Sequence, residues 1–293
     1  MSESKSKENK ETKKEEGLFP NSFRTADFPE HPDSVIIKKQ DLLFNGPSLL
    51  EVDCFNYYEG IKNDLLKEIK GKNIFIRLMT KHGPIFIRHP FKEGGGDYIH
   101  INSLNDFEPY HTGRIIEFHT TMEKECNYYI IDYDAVGEWK NIKKNTLDIT
   151  DHLKEKPDVK TVEIRYSGKR GFHVLGFMKK SKDINQAREE LRDWLKKGYA
   201  DHKDLVVQES PDKGKGALGL TSMRANAGNV SKYSLRITGL CCIDVPRNDL
   251  EKFEKSDASI DKVYKKLTGK NFVFGETRKT ARRIVNSFLN DIK

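Results

Sequence analysis

The stretch Tyr128-Tyr-Ile-Ile-Asp-Tyr-Asp134 constrains this chain more than any other. Its aromatic and β-branched residues read as a strand, and strand side chains alternate between faces. Asp132 and Asp134 therefore share one face, while Ile131 and Tyr133 share the other. One side of the strand must enter an apolar core, and the other must carry two neighbouring carboxylates. On a mostly buried strand such a pair repels and loses hydration. A divalent cation relieves both problems. Hard oxygen ligands favour Mg2+ or Mn2+, and paired ions of this kind serve nucleotidyl transfer. The alternative is an exposed strand end with two solvated carboxylates.

A second segment, Arg165-Tyr-Ser-Gly-Lys-Arg-Gly-Phe-His-Val174, reads as strand, tight turn, strand. Gly168 and Gly171 let backbone N–H groups approach an anion closely. Ser167, Lys169 and Arg170 add donors, and His173 lies two residues into the returning strand. Fixed N–H dipoles, a hydroxyl and positive charge are what a triphosphate needs. An ordinary basic surface hairpin has the same composition. Together the two segments describe one site, a metal pair beside a phosphate cradle.

The remaining chain supplies a mixed framework. Residues 1–17 balance five Lys against five Glu with almost no apolar side chain, and are expected to be a disordered tail. Four prolines between residues 18 and 47 give an irregular entry, and Ser48-Leu-Leu-Glu51 reads as a capping box. Val52, Phe55, Ile61, Leu65 and Ile69 then recur at near-helical spacing up to Gly71. Strands are expected at 73–78, 84–89, 114–119, 128–134, 162–166 and 172–178, with shorter ones at 205–208 and 218–221. Gly94-Gly-Gly96 marks a flexible loop, and helices are expected at 184–197 and 277–292. Without a regular βαβ rhythm the class is α+β, or mixed α/β.

Charge and cysteine usage narrow the function classes. The chain carries a formal +7, and nine Lys and Arg against Glu276 and Asp291 concentrate that excess in residues 262–293. A basic C-terminal end fits a polyanion partner, or a solvated helix end. No apolar run is long enough to span a membrane, and the N-terminus lacks a signal-peptide core, so a cytoplasmic location is expected. Cys54, Cys126, Cys241 and Cys242 form no CxxC pair, which argues against a zinc cluster or a disulfide framework. Tyr57-Tyr58 and Tyr128-Tyr129 read as core or as base-stacking platforms.

The order Asp132-x-Asp134, then Ser167-Gly-x-x-Gly-x-His173, then Tyr233-Ser-Leu-Arg236 resembles the archaeo-eukaryotic primase superfamily. Within it the sequence looks most like the polymerase domain of bacterial end-joining ligase D and its stand-alone archaeal relatives. Ile116-Glu-Phe-His119 just upstream of the Asp pair supports that choice, as does the helix leading into Gly71-Lys-Asn-Ile-Phe-Ile-Arg77. The likeness runs over roughly residues 40–250.

The resemblance implies a primase-polymerase core with an RRM-like sheet and flanking helices over residues 18–261, followed by a basic helical segment at 262–293. It implies metal binding by Asp132 and Asp134, with Mn2+ or Mg2+. His119, Ser167, Gly168, Lys169, His173, Arg224 and Arg236 would hold the incoming NTP or dNTP, ribonucleotides being preferred. Arg88, His89 and Lys92 fall where such polymerases grip a DNA 5′-phosphate. A DNA ligase and an end-binding protein are implied as partners, at the nucleoid.

The implied activity is nucleotide addition to DNA 3′ ends in non-homologous end joining. A replicative primase small subunit is the alternative within the enzyme class, although the Cys/His knuckle common there is missing. One departure from the pattern stands out. The third catalytic Asp, three residues before the Arg matched by Arg224, is replaced by Thr221, or with a short gap by Gly219 or Leu220. No Asp or Glu occurs between Lys213 and Ile243, leaving Glu209 or Asp212 as substitutes from an adjacent loop. A binding module for DNA ends with weak or no catalysis is therefore the alternative from another class.

Overall fold

The computed structural model describes residues 34–44, 46–90, 98–134, 137–200, 205–208, 217–220 and 222–275. In chain order these form β1 (Val35–Ile37), β2 (Leu49–Leu50), α1 (Glu51–Ile69), β3 (Asn73–Thr80), β4 (Gly83–Ile87), β5 (Ile99–His100) and α2 (Leu104–Phe107). There follow β6 (Ile115–Thr121), β7 (Glu125–Asp134), α3 (Trp139–Lys154), β8 (Val159–Tyr166), β9 (Phe172–Asp183) and α4 (Ile184–Gly198). The last are β10 (Val206–Gln208), β11 (Ala217–Gly219), β12 (Gly228–Val230), β13 (Ile243–Asp244) and α5 (Ile260–Thr268).

Two sheets carry the fold. One runs β10-β11-β7-β9-β8-β13; the other runs β12-β6-β3-β4, with β5 also on β3. The long antiparallel ladder of β7, β9 and β8 is held in register by alternation. Tyr129, Ile131 and Tyr133 are buried on the side covered by α3 and α4, so a slip of one residue would bring Asp132 into that layer. α1 covers the second sheet through Tyr57, Tyr58, Ile61 and Leu65. Tyr58 donates its hydroxyl to Ile116 O at 2.5 Å, and Tyr57 donates to Tyr233 O at 2.8 Å. Both are core residues rather than stacking platforms. Tyr129 is also buried, with its hydroxyl on Asp158 at 2.6 Å.

Local expectation and structure differ at several elements. Ser48 does not cap α1: its Oγ accepts from Lys39 N, and Leu49–Leu50 are used instead to pair with β1. The helix begins at Glu51, where Asp53 accepts from Leu50 N at 2.6 Å in the capping role. Its buried stripe is set by Cys54, Tyr57 and Tyr58, leaving Phe55 exposed. Helices α2 and α3 have no counterpart in the sequence expectation, and α5 overlaps the start of the segment expected to be helical from 262. The inner face of α3 mixes Ile142, Ile149 and Leu153 with Lys143, Thr146 and Thr150, which dilutes its apolar period. Its two threonines bond back to the carbonyls of Ile142 and Thr146.

The expected N-terminal tail, the Gly94–Gly96 loop and the 277–292 helix lie outside the described residues. All four cysteines are buried and unpaired. Among the described residues no helix is long and apolar enough to cross a membrane.

Candidate active site

A row of polar positions crosses the larger sheet. Asp132 on β7 stands opposite His173 on β9 and, on its other side, opposite Gly219 on β11. His173 faces Arg165 on β8, and Arg165 faces Asp244 on β13. Directly opposed residues of antiparallel strands project from the same face, so the row reads Gly219, Asp132, His173, Arg165, Asp244. His173 Nε2 lies 3.5 Å from Asp132 Oδ1. Arg165 Nε donates to Asp244 Oδ1 at 2.8 Å, and Lys232 Nζ sits 2.5 Å from Asp244 Oδ2. Asp132 keeps 24% side-chain exposure while Ile131 and Tyr133 beside it are buried. Burial pushes its carboxyl up to about 6, against the partial opposition of Arg236 and Lys169. A half-buried carboxylate that nearby protein cations leave under-compensated is the electrostatic condition a metal ion satisfies.

The turn after β8 joins the two strands that carry Arg165 and His173. Ser167 donates to Gly171 O through both its N–H, at 3.1 Å, and its hydroxyl, at 3.0 Å. Gly168 has φ +73°, and a Cβ there would meet Arg236 Cγ at 2.5 Å. Only glycine serves both the left-handed backbone and the close approach. Thr238 Oγ1 donates to Gly168 O at 2.5 Å, so the turn is clamped to the loop that carries Arg236. Lys169 and Arg170 are exposed at the tip.

The second sheet contributes Glu117 and His119, two residues apart on β6 and so on one face. His119 is buried, with Nε2 2.8 Å from Glu117 Oε2. Glu117 has no exposed surface; Arg77 Nη1 and Ile237 N each donate to its Oε1 at 3.1 Å, and Arg236 Nε approaches to 3.6 Å. Glu117 lies inside the Ile116-Glu-Phe-His119 motif, yet residue types alone gave it no part. Its i, i+2 spacing from His119 on a strand was the available signal.

The expected site residues thus fall into groups. Asp132, His173, Ser167, Gly168, Lys169, Arg236 and His119 gather around one region through the contacts just described. Asp134 ends β7 opposite Ala217 in the backbone ladder; its side chain lies outside the described set. Arg224 is exposed on the turn after β11, where Arg188 of α4 feels its charge. Arg88 and His89 are exposed beyond β4, and the Arg88 guanidinium lies 4.6 Å from the Phe75 ring centre. Lys92, Glu209, Asp212 and Thr221 lie outside the described residues. Among the described residues no cluster of three or more His, Cys, Asp or Glu side chains could hold a metal.

His173 also forms part of the wall of a cleft of about 290 Å3 between the sheets, with Tyr128, Glu163, Arg165, Asn229, Lys232 and Asp244. A larger hollow of about 520 Å3 lies away from Asp132, between β13 and α5, and shares Lys232 and Asp244 with that cleft.

No protein-family model matches this sequence, and no curated protein does. Among solved structures it is similar to the polymerase domain of ligase D from Mycobacterium tuberculosis, in complex with DNA. The TM-score is 0.64 at 14% identity, and the match covers 82% of this chain and 96% of that one. At that identity the likeness is one of fold: the mixed α/β arrangement of antiparallel sheets and helices is shared with that polymerase domain.

Proposed function

We propose that this protein is a primase-superfamily nucleotidyltransferase that adds nucleotides, preferentially ribonucleotides, to DNA 3′ ends in end-joining repair. One observation carries this reading. Asp132 and His173 lie side by side, within the field of Arg236 and Lys169 from the adjoining glycine turn, on a fold shared with a polymerase domain solved in complex with DNA.

Asp132 and Asp134 would hold Mg2+ or Mn2+, which activates a 3′-hydroxyl and neutralises the leaving pyrophosphate. Lys169 and Arg236 offset phosphate charge, with Ser167, His119 and His173 as further hydrogen-bonding groups. The Gly168 turn lets the phosphates approach the backbone. Arg224 would reach the same ligand from its turn, and Arg88, His89 and Lys92 would grip the DNA 5′-phosphate. Residues 18–261 would form the catalytic unit, with a tail before it and the basic segment from 262 after it, α5 running across that boundary. A ligase and an end-binding protein are the expected partners.

The test is primer extension on gapped and overhanging DNA, with rNTPs or dNTPs and Mn2+ or Mg2+. Extension abolished by Asp132→Ala supports the proposal; extension surviving it removes the metal assignment. De novo synthesis on an unprimed circle would instead identify a primase. A second reading, a DNA-end-binding module without catalysis, is favoured by the register: glycine, not a carboxylate, stands opposite Asp132. DNA binding without extension would establish it.

A further inference from the structure

Glu117 is a buried ion that the proposed chemistry does not use directly. An ionised carboxylate with no exposed surface is costly unless its lone pairs are filled. Here three donors fill them, His119 Nε2 at 2.8 Å, Arg77 Nη1 at 3.1 Å and Ile237 N at 3.1 Å, and the Arg236 guanidinium adds its charge with Nε at 3.6 Å. Burial alone would raise its pKa, yet His119, Arg236 and Arg77 hold it down to about 2. It is therefore ionised at neutral pH and can only accept hydrogen bonds.

That fixes the imidazole. A carboxylate that only accepts requires the proton of His119 to sit on Nε2, which leaves Nδ1 as the nitrogen available to a ligand. The Phe86 ring meets the imidazole edge-on at 5.3 Å, and Arg77 lies 5.1 Å from the same ring. Ring orientation and tautomer are thus both set by side chains of one sheet face. The same carboxylate draws Arg236 toward it from the loop that clamps the Gly168 turn, and Arg236 in turn lowers the Asp132 carboxyl.

We propose that Glu117 is the positioning residue of the nucleotide site: it turns the unprotonated His119 Nδ1 toward a sugar hydroxyl of an incoming nucleoside triphosphate, which donates to it, and holds the Arg236 guanidinium toward the phosphates. The inference rests on the nucleotide-binding reading of His119 and Arg236 above. Without Glu117 the histidine is free to adopt the other tautomer, and two guanidinium groups share a pocket with no anion between them. The nucleotide's hydroxyl would then meet an N–H in place of a lone pair and its phosphates a displaced guanidinium, which weakens binding although neither contact residue is lost.

The near-isosteric Glu117→Gln is the informative variant. Its amide carbonyl can still accept from Ile237 N, while its NH2 group faces the imidazole and selects the opposite tautomer. Three measurements are made on the full chain: thermal melting, the His119 tautomer by two-bond 15N–1H NMR correlation, and the Kd of a fluorescent ATP analogue. A folded Glu117→Gln protein with the Nδ1–H tautomer and at least tenfold weaker analogue binding is the expected result. In a His119→Ala background most of that loss should disappear, which a merely structural role would not produce. Wild-type affinity in a folded Glu117→Gln protein overturns the inference, as does an Nδ1–H tautomer already present in wild type. If wild type binds no analogue, the nucleotide reading falls and takes this inference with it. If Glu117→Gln fails to fold, Glu117→Asp gives the same comparison, with rescue expected at intermediate affinity and its absence counting against the proposal.

Discussion

At the scale of single residues, Asp132 carries a conflict between stability and use. Burial pushes its native carboxyl up to about 6, from an ordinary value of 3.8. Between those values the folded state binds more protons than the unfolded one, so stability falls as pH rises through the window. The cost is fully present at pH 7 and amounts to at most about 3 kcal/mol, less whatever solvent screens at a part-exposed side chain. Asp132→Asn should therefore raise the melting temperature in EDTA by several degrees at pH 7.5, and by nothing near pH 4, while abolishing extension. Equal melting of the two proteins at pH 7.5 would show that the site is not electrostatically frustrated. Gly168→Ala acts differently: the left-handed backbone and the 2.5 Å approach to Arg236 Cγ should cost at least about 1–2 kcal/mol and displace Arg236. Nucleotide affinity should fall along with the melting temperature. The glycine at 168 was legible from the Ser-Gly-Lys-Arg-Gly string, whereas the side chain packed against it was not.

At the scale of elements, register decides what composition left open. Three positions, Gly219, Leu220 and Thr221, competed for the missing third carboxylate. Leu220 is buried in the core, and Thr221 lies outside the described residues. Gly219 stands directly across the ladder from Asp132, where a side chain would project from the same face. Gly219→Asp is the substitution expected to raise Mn2+-dependent extension, by tenfold or more if the carboxylate is limiting. A larger gain from Thr221→Asp would place the slot at position 221 instead. Strand alternation made Asp132 readable from sequence because it needs only neighbours along the chain. The pairing of β11 with β7 joins residues more than eighty positions apart, and no local pattern encodes it. The same gap explains α1. Ser48 looked like a cap until pairing with β1 took Leu49 and Leu50, and the helix had to start at Glu51.

At the scale of the molecule, the formal +7 belongs to one end of the chain, and the position of α5 changes how that should be tested. α5 packs against α1, where Gly60 leaves room for the Tyr264 ring, and Gly275 N donates to Asp53 Oδ1 at 2.5 Å. Cutting at residue 262 would remove part of the fold together with the charge. Truncation after Gly275 keeps those contacts and removes residues 276–293, with five Lys and Arg against Glu276 and Asp291. This shorter protein should melt within a few degrees of the full chain. The slope of its DNA affinity against salt should be shallower by about 2–4. An unchanged slope would move the DNA-backbone contact to the body.

The carboxylate strand, the glycine turn and the order of motifs are all written locally, because alternation and turn chemistry act over a few residues. Only the tertiary structure placed Gly219 opposite Asp132, drew Arg236 over the turn and buried Glu117 between His119 and two arginines. Those are long-range contacts fixed by strand pairing and packing, and a buried charge acquires its meaning only from the partners that folding brings to it.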